Sequence, residues 1–242
     1  SHNPKNNSFI YSPAKEYQKM GCSVRVIALS PLGKSSPGWA GKYTLSLEMQ
    51  RVDGVEFYRL QYFSLSNLGK KPGINQHNVK KAMEKYLSTI TDGFRPDVIH
   101  AHSLNTSEIA LWLKNQLGCP LVITTHGSDT SVPFREGQFK KIQQSAAPAD
   151  AVVAVSSSLQ RKLLVAGVQG DIHVILNGVS LPASIGKLPK RRLSFMQAGN
   201  FIPQKKFDIT IRAFAKLHQI YPEAELAIAG HGPEERAYKK LC

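Results

Sequence analysis

Three places in this 242-residue chain combine side chains that could act on a ligand. His100 and His102 are separated by one residue in DVIHAH (97–102). His126 and Asp129 follow an apolar run in LVITTHGSDT (121–130). Lys205 and Lys206 follow Gly199 and Asn200 in GNFIPQKKFD (199–208). Each pattern admits a definite chemistry. An HxH pair can bring two imidazoles to one metal, and His126 and Asp129 could complete the ligand set of a metal-dependent hydrolase. Strand alternation places the same two histidines on one face with no metal required. A glycine turn followed by lysines ahead of a helix suits an anion. Backbone N–H groups and the helix N-terminus favour phosphate, and lysine adds a point charge. The run is neither GxxxxGK[ST] nor GxGxxG.

The elements around these residues set where they sit. Residues 9–20 place Ile10, Ala14 and Tyr17 on one helical face before Gly21. A strand over 23–29 follows, then a Gly-, Pro- and Ser-rich loop over 31–45. Residues 49–60 read as a hairpin turning at Asp53-Gly54, and 79–90 as a helix. Strands at 97–102, 121–125, 151–155 and 172–176 then alternate with helices at 106–117, 136–146 and 156–167. Ser156–Ser158 suit the N-cap of the last helix. Continuous apolar strands in this rhythm imply a parallel sheet covered on both faces. Residues 181–192 read as a linker between a first domain (1–180) and a second (193–242). The second has strands at 193–199 and 224–230 and helices at about 208–219 and from Pro233.

In open parallel α/β sheets ligands lie outside the carboxyl ends of the strands. His102, His126, Asn177-Gly178, Gly199-Asn200 and Gly230-His231-Gly232 all fall at such ends. Two strands are few for a doubly wound sheet, so the second domain is expected to be incomplete. A helix leading into a strand usually follows an earlier strand, so a segment is expected ahead of residue 9 as well.

Composition narrows the class. Hydrophobic residues make up 42% and aromatic residues 8%, ordinary for a soluble α/β protein. No apolar run approaches the roughly 18 residues of a membrane helix. The three scattered cysteines form no CxxC pair and point to reduced thiols in a cytosol. The formal charge of +14 favours anionic partners. Its lysines are dispersed, with no basic tract interleaved with aromatics, so nucleic acid is not the expected partner. Lys15, Lys19 and Arg25 with residues 70–81 could form a patch against an anionic membrane face.

Taken in order, DVIHAH, LVITTHGSD, AVVAVSSSLQRKLL, VILNGVSL, MQAGNFIPQKKFDITIRAFAKL and AELAIAGHGPEE resemble the retaining glycosyltransferases of family 4. The resemblance runs from about Phe9 to Lys240. Its most specific pieces are the Asn177-Gly178-Val179 turn and the G-x-x-x-x-x-K-x-x-D run from Gly199 to Asp208. It implies the GT-B fold: two Rossmann-like parallel-sheet domains facing across a cleft. The acceptor would bind mainly to the first and a UDP- or GDP-sugar mainly to the second, without cofactor or metal. It implies that His126 reaches the donor sugar near the reacting centre. Lys205 would contact the donor diphosphate and stabilise the leaving group, with Gly199, Asn200 and Lys206 beside it. His102 and Asp129 are acceptor-side candidates.

The chain departs from the family pattern at Asn200, where an arginine is usual, and at Lys206, where a glycine is usual. The family's paired-glutamate segment would lie beyond Cys242 and its glycine-rich loop before Ser1, so this chain alone is expected to be poorly active. A non-catalytic binding module of the same fold is the other reading.

Overall fold

The computed structural model describes residues 8–32, 45–63, 72–179, 181 and 193–242. The chain divides into two compact units, Ser1–Gly178 and Val179–Cys242. The expected linker lies outside the described residues apart from Leu181.

Unit 1 opens with α1 (Ser8–Lys19), β1 (Arg25–Leu32), β2 (Ser46–Val52), β3 (Val55–Phe63) and α2 (Pro72–Thr91). β2 and β3 form the expected antiparallel hairpin. Asp53 (φ 49°) and Gly54 (φ 84°) both take the left-handed conformation that a two-residue hairpin turn needs. β1 pairs in parallel with the other side of β3, giving the order β1-β3-β2.

The second half of unit 1 runs β4 (Ile99–His102), α3 (Ser107–Leu117), β5 (Leu121–Thr125), α4 (Ser128–Arg135), α5 (Phe139–Ala146), β6 (Ala151–Ala154), α6 (Ser157–Val165) and β7 (Ile172–Val174). These strands form a parallel sheet in chain order, β4-β5-β6-β7. The Ser156 hydroxyl caps α6 by accepting the Leu159 N–H at 3.2 Å. Leu121, Ile123, Ala154 and Leu163 are fully buried in one core, with Ile142 of α5 beside them. Leu60, Met83, Ile90, Ile109 and Leu113 of β3, α2 and α3 form another.

Three expectations need correction. The residues after His126, given no element of their own in the sequence reading, form a helix: Gly127 caps α4, which holds Asp129 in its first turn and Pro133 in its interior. The following helix begins at Phe139, not at 136. Arg25 is not part of a surface patch either. Its side chain is 17% exposed and pairs with Glu56 at 2.7 Å. It also donates to the carbonyls of Ile90 and Asp92 at 2.5 and 2.9 Å. Residues 70–71 of that patch lie outside the described residues.

Unit 2 contains β8 (Ser194–Ala198), α7 (Phe207–Ile220), β9 (Glu225–Ala229) and α8 (Glu235–Lys239). β8 and β9 pair in parallel, and Phe201, Phe207, Ile211 and Tyr238 form the core. Among the described residues, no helix is long and apolar enough to cross a membrane.

Candidate functional site

The carboxyl ends of β4 and β5 gather three histidines. The parallel register sets His102 beside Thr124, one residue short of the strand end that delivers His126. His100 and His102 share a face, and their rings stack at 4.4 Å between centroids. His102 Nδ1 lies 2.9 Å from His126 Nε2, while His100 Nε2 lies 2.7 Å from the Thr124 hydroxyl. Phe9 of α1 covers His126 at 4.6 Å between ring centroids.

Burial pushes all three imidazoles below the usual histidine range. For His102 burial, then repulsion from His100 and His126, brings the value to about 3. The cluster is therefore neutral at pH 7. A neutral imidazole carries one donor and one acceptor nitrogen, so one ring of the His102–His126 pair donates to the other. Such a cluster offers hydrogen bonds without an ionic charge.

Asp129 sits below this cluster and turns inward. It is 6% exposed. One carboxylate oxygen accepts the Leu104 N–H at 2.8 Å. The other accepts the Thr125 hydroxyl at 2.9 Å and the Gly127 N–H at 3.0 Å. This carboxylate ties the loop after β4 to the loop after β5, and thereby sets His102 and His126 relative to each other. The Thr130 hydroxyl, 2.5 Å from that of Thr125, extends the network. Ser103 at φ 87° is held in a conformation rare for a residue with a Cβ, between His102 and the anchored Leu104. The buried hydroxyls of Thr125 and Thr130 and the strained Ser103 escape a reading of the sequence by charge and imidazole. Their signal is the polar run TT in an otherwise apolar strand.

In unit 2 the loops after β8 and β9 zip together. Gly199 donates to Ala229 at 3.0 Å, Phe201 to His231 at 2.8 Å and Glu234 to Phe201 at 3.1 Å, all backbone to backbone. A Cβ on Gly230 would lie 1.9 Å from the Gly199 carbonyl oxygen, and one on Gly232 2.6 Å from that of Phe201. These glycines are there because two backbones touch. Asn200, Lys205 and Lys206 are exposed on this loop structure. Among the described residues no carboxylate pairs with either lysine. Gln197 donates to the Lys205 carbonyl at 3.0 Å, fixing the turn. Lys206 caps α7 in the left-handed conformation, φ 52° and ψ 40°.

Residues 7–182 match the model of Glycosyltransferase Family 4. The chain belongs to this glycosyltransferase family. It is 34% identical over 160 residues to an uncharacterized glycosyltransferase of Bacillus subtilis (strain 168), YqgM, spanning 61% of this chain and 43% of that protein. It is 28% identical over 171 residues to the putative teichuronic acid biosynthesis glycosyltransferase TuaC of the same organism, spanning 67% of this chain and 43% of that protein. The chain therefore matches less than half the length of either relative. Its fold is similar to that of Anabaena Alr3699/HepE in complex with UDP and glucose (TM-score 0.53, 17% identity, 90% of this chain and 64% of that one). It is also similar to a mutant of S. aureus TarM in complex with fondaparinux, alpha-GlcNAc-glycerol and UDP (TM-score 0.54, 14% identity, 68% of this chain and 34% of that one). Both are GT-B glycosyltransferases, and the fold is of that class.

The imidazoles bond to one another and to Thr124. Among the described residues no three His, Cys, Asp or Glu side chains converge as ligands. The hydrolase reading of His100 and His102 is replaced by the family.

Proposed function

We propose that the whole protein moves a sugar from a UDP- or GDP-sugar to an acceptor hydroxyl, with retention at the anomeric carbon and without a metal. The product would be a bacterial glycan, polysaccharide or glycolipid. The observation that carries this reading is the His102–His126 pair, two neutral imidazoles at adjacent strand ends within the stretch that matches the family. In the reaction the bond from the anomeric carbon to the diphosphate breaks, and the acceptor oxygen takes its place. The acceptor proton ends on the leaving diphosphate.

Negative charge grows on that diphosphate, and preorganised cations are worth most where charge develops. Lys205 is assigned to it, with Lys206 supplying the charge that Asn200 does not. Gly199 lets the donor approach the backbone. His126 is assigned to the donor sugar and His102 to the acceptor side, where it also orients His126. Asp129 acts through both as a positioning residue. The UDP held by Alr3699/HepE and TarM supports a nucleotide-sugar donor. The net charge of +14 and the named role of TuaC support work on an anionic or surface polymer, from the cytoplasmic side and in peripheral contact with the membrane.

The test is a donor panel of UDP- and GDP-sugars with the whole protein, the anomeric configuration of the product being read by NMR. Turnover with a retained anomer is expected. Inverted product, or hydrolysis dependent on added zinc, contradicts the reading.

A further inference from the structure

His102 Nδ1 and His126 Nε2 lie 2.9 Å apart, so one proton lies between them in a hydrogen bond. Burial keeps both rings neutral at pH 7, so each ring carries a single proton. The pair then has two arrangements. In the first, His102 Nδ1–H donates to His126 Nε2, which leaves His102 Nε2 bare and a proton on His126 Nδ1. In the second, His126 Nε2–H donates to His102 Nδ1, which leaves a proton on His102 Nε2 and His126 Nδ1 bare. Both rings always hold the same tautomer. The two outer nitrogens, His102 Nε2 and His126 Nδ1, are always opposite, one a donor and one an acceptor. To pass from the first arrangement to the second, the shared proton crosses, His126 Nδ1 gives a proton to water and His102 Nε2 takes one up.

Neither outer nitrogen has a hydrogen-bond partner among the described residues. The rings themselves are held. His100 stacks on His102 at 4.4 Å and is tied to the Thr124 hydroxyl at 2.7 Å. Phe9 covers His126, and Asp129 anchors the loops that carry both rings.

We propose that the pair stands in the second arrangement before substrate binds, and that it selects the donor sugar by a hydroxyl that donates to His126 Nδ1. The inference rests on the sugar transfer proposed above. In that reaction the acceptor hydroxyl sends its proton to the diphosphate and one lone pair to the anomeric carbon. Towards His102 it can therefore only accept, and His102 Nε2 must carry a proton. The shared proton then belongs to His126, whose Nδ1 is bare. A bare nitrogen is satisfied by an O–H group, not by an ether oxygen or a fluorine in its place. Donors of this kind work best when set before the substrate arrives. The two substrates are also coupled, because each favours the same arrangement of one shared pair.

The test is nitrogen NMR of the imidazoles in the whole protein, isotope-labelled at histidine, without ligand at pH 7. Both rings should be protonated at Nε2 and bare at Nδ1, with a coupling across the shared bond. A proton on Nδ1 of either ring overturns the proposal. This readout needs no turnover, so it fails separately from the sugar-transfer reading. With the active donor of the panel, fluorine is then put in place of one sugar hydroxyl at a time. At one position kcat/KM should fall about 100-fold or more, and His126→Phe should no longer distinguish that position. A pattern of losses unchanged in the variant overturns the assignment.

Discussion

β5 in unit 1 and β8 in unit 2 are both five-residue parallel strands that end at a loop bearing candidate site residues. Their burial is opposite. Leu121 and Ile123 are 0% exposed, whereas Phe195 and Met196 are 44% and 71% exposed. β5 has a strand on each side and apolar side chains of β6, α5 and α6 packed against it. β8 has one strand neighbour among the described residues, and α7 reaches only the face that carries Phe195. The difference teaches that an apolar strand states what must be covered, while its neighbours decide what is covered. The two units also fix their site loops differently. Unit 1 uses a buried carboxylate with three donors, and unit 2 uses glycines that let two backbones touch.

Replacing each device tests that contrast. Asp129→Ala leaves two backbone N–H groups and the Thr125 hydroxyl without their acceptor. It should cost about 3 kcal/mol in denaturant unfolding of unit 1. A loss near zero would show that the network does not hold the loops. In unit 2, Gly230→Ala should cost about 1–3 kcal/mol, because the new Cβ meets backbone that has no rotamer to yield. Equal stability of the alanine variant would mean that the zipped loops open freely.

A pH titration tests how unit 1 holds its histidines. The folded-state value of His102 is depressed, so the unfolded chain binds more protons below the ordinary histidine value of about 6.5. Unit 1 keeps this contribution above pH 6.5 and loses it as pH falls towards about 3. Between pH 7 and 5 the loss should be on the order of 1–2 kcal/mol, and it should shrink in His102→Gln. The smallest effect is a gain. Lys206→Gly relieves a left-handed lysine and should stabilise unit 2 by about 1 kcal/mol, which thermal melting would detect.

Much of this architecture was legible. The hairpin at Asp53-Gly54, the parallel rhythm from residue 97 and the Ser156 cap follow from periodicity and turn chemistry. The helix at 128–135 was not, because Pro133 and a Ser-Asp-Thr-Ser run mimic a loop. The placement of His102 beside His126 was legible as strand ends, whereas their direct hydrogen bond depends on register between β4 and β5. The inward turn of Asp129 was hidden for a related reason: its three donors come from two loops, one of them 25 residues away in sequence. Arg25 misled as a surface charge because Glu56 and the end of α2 reach it only through tertiary packing.

The most direct test of the central claim is the rate of sugar transfer by the whole protein with Lys205→Ala, folding being checked by circular dichroism. With the fold intact, kcat should be lower by about 10²–10³-fold. An unchanged kcat would contradict the assignment of this lysine to the leaving diphosphate.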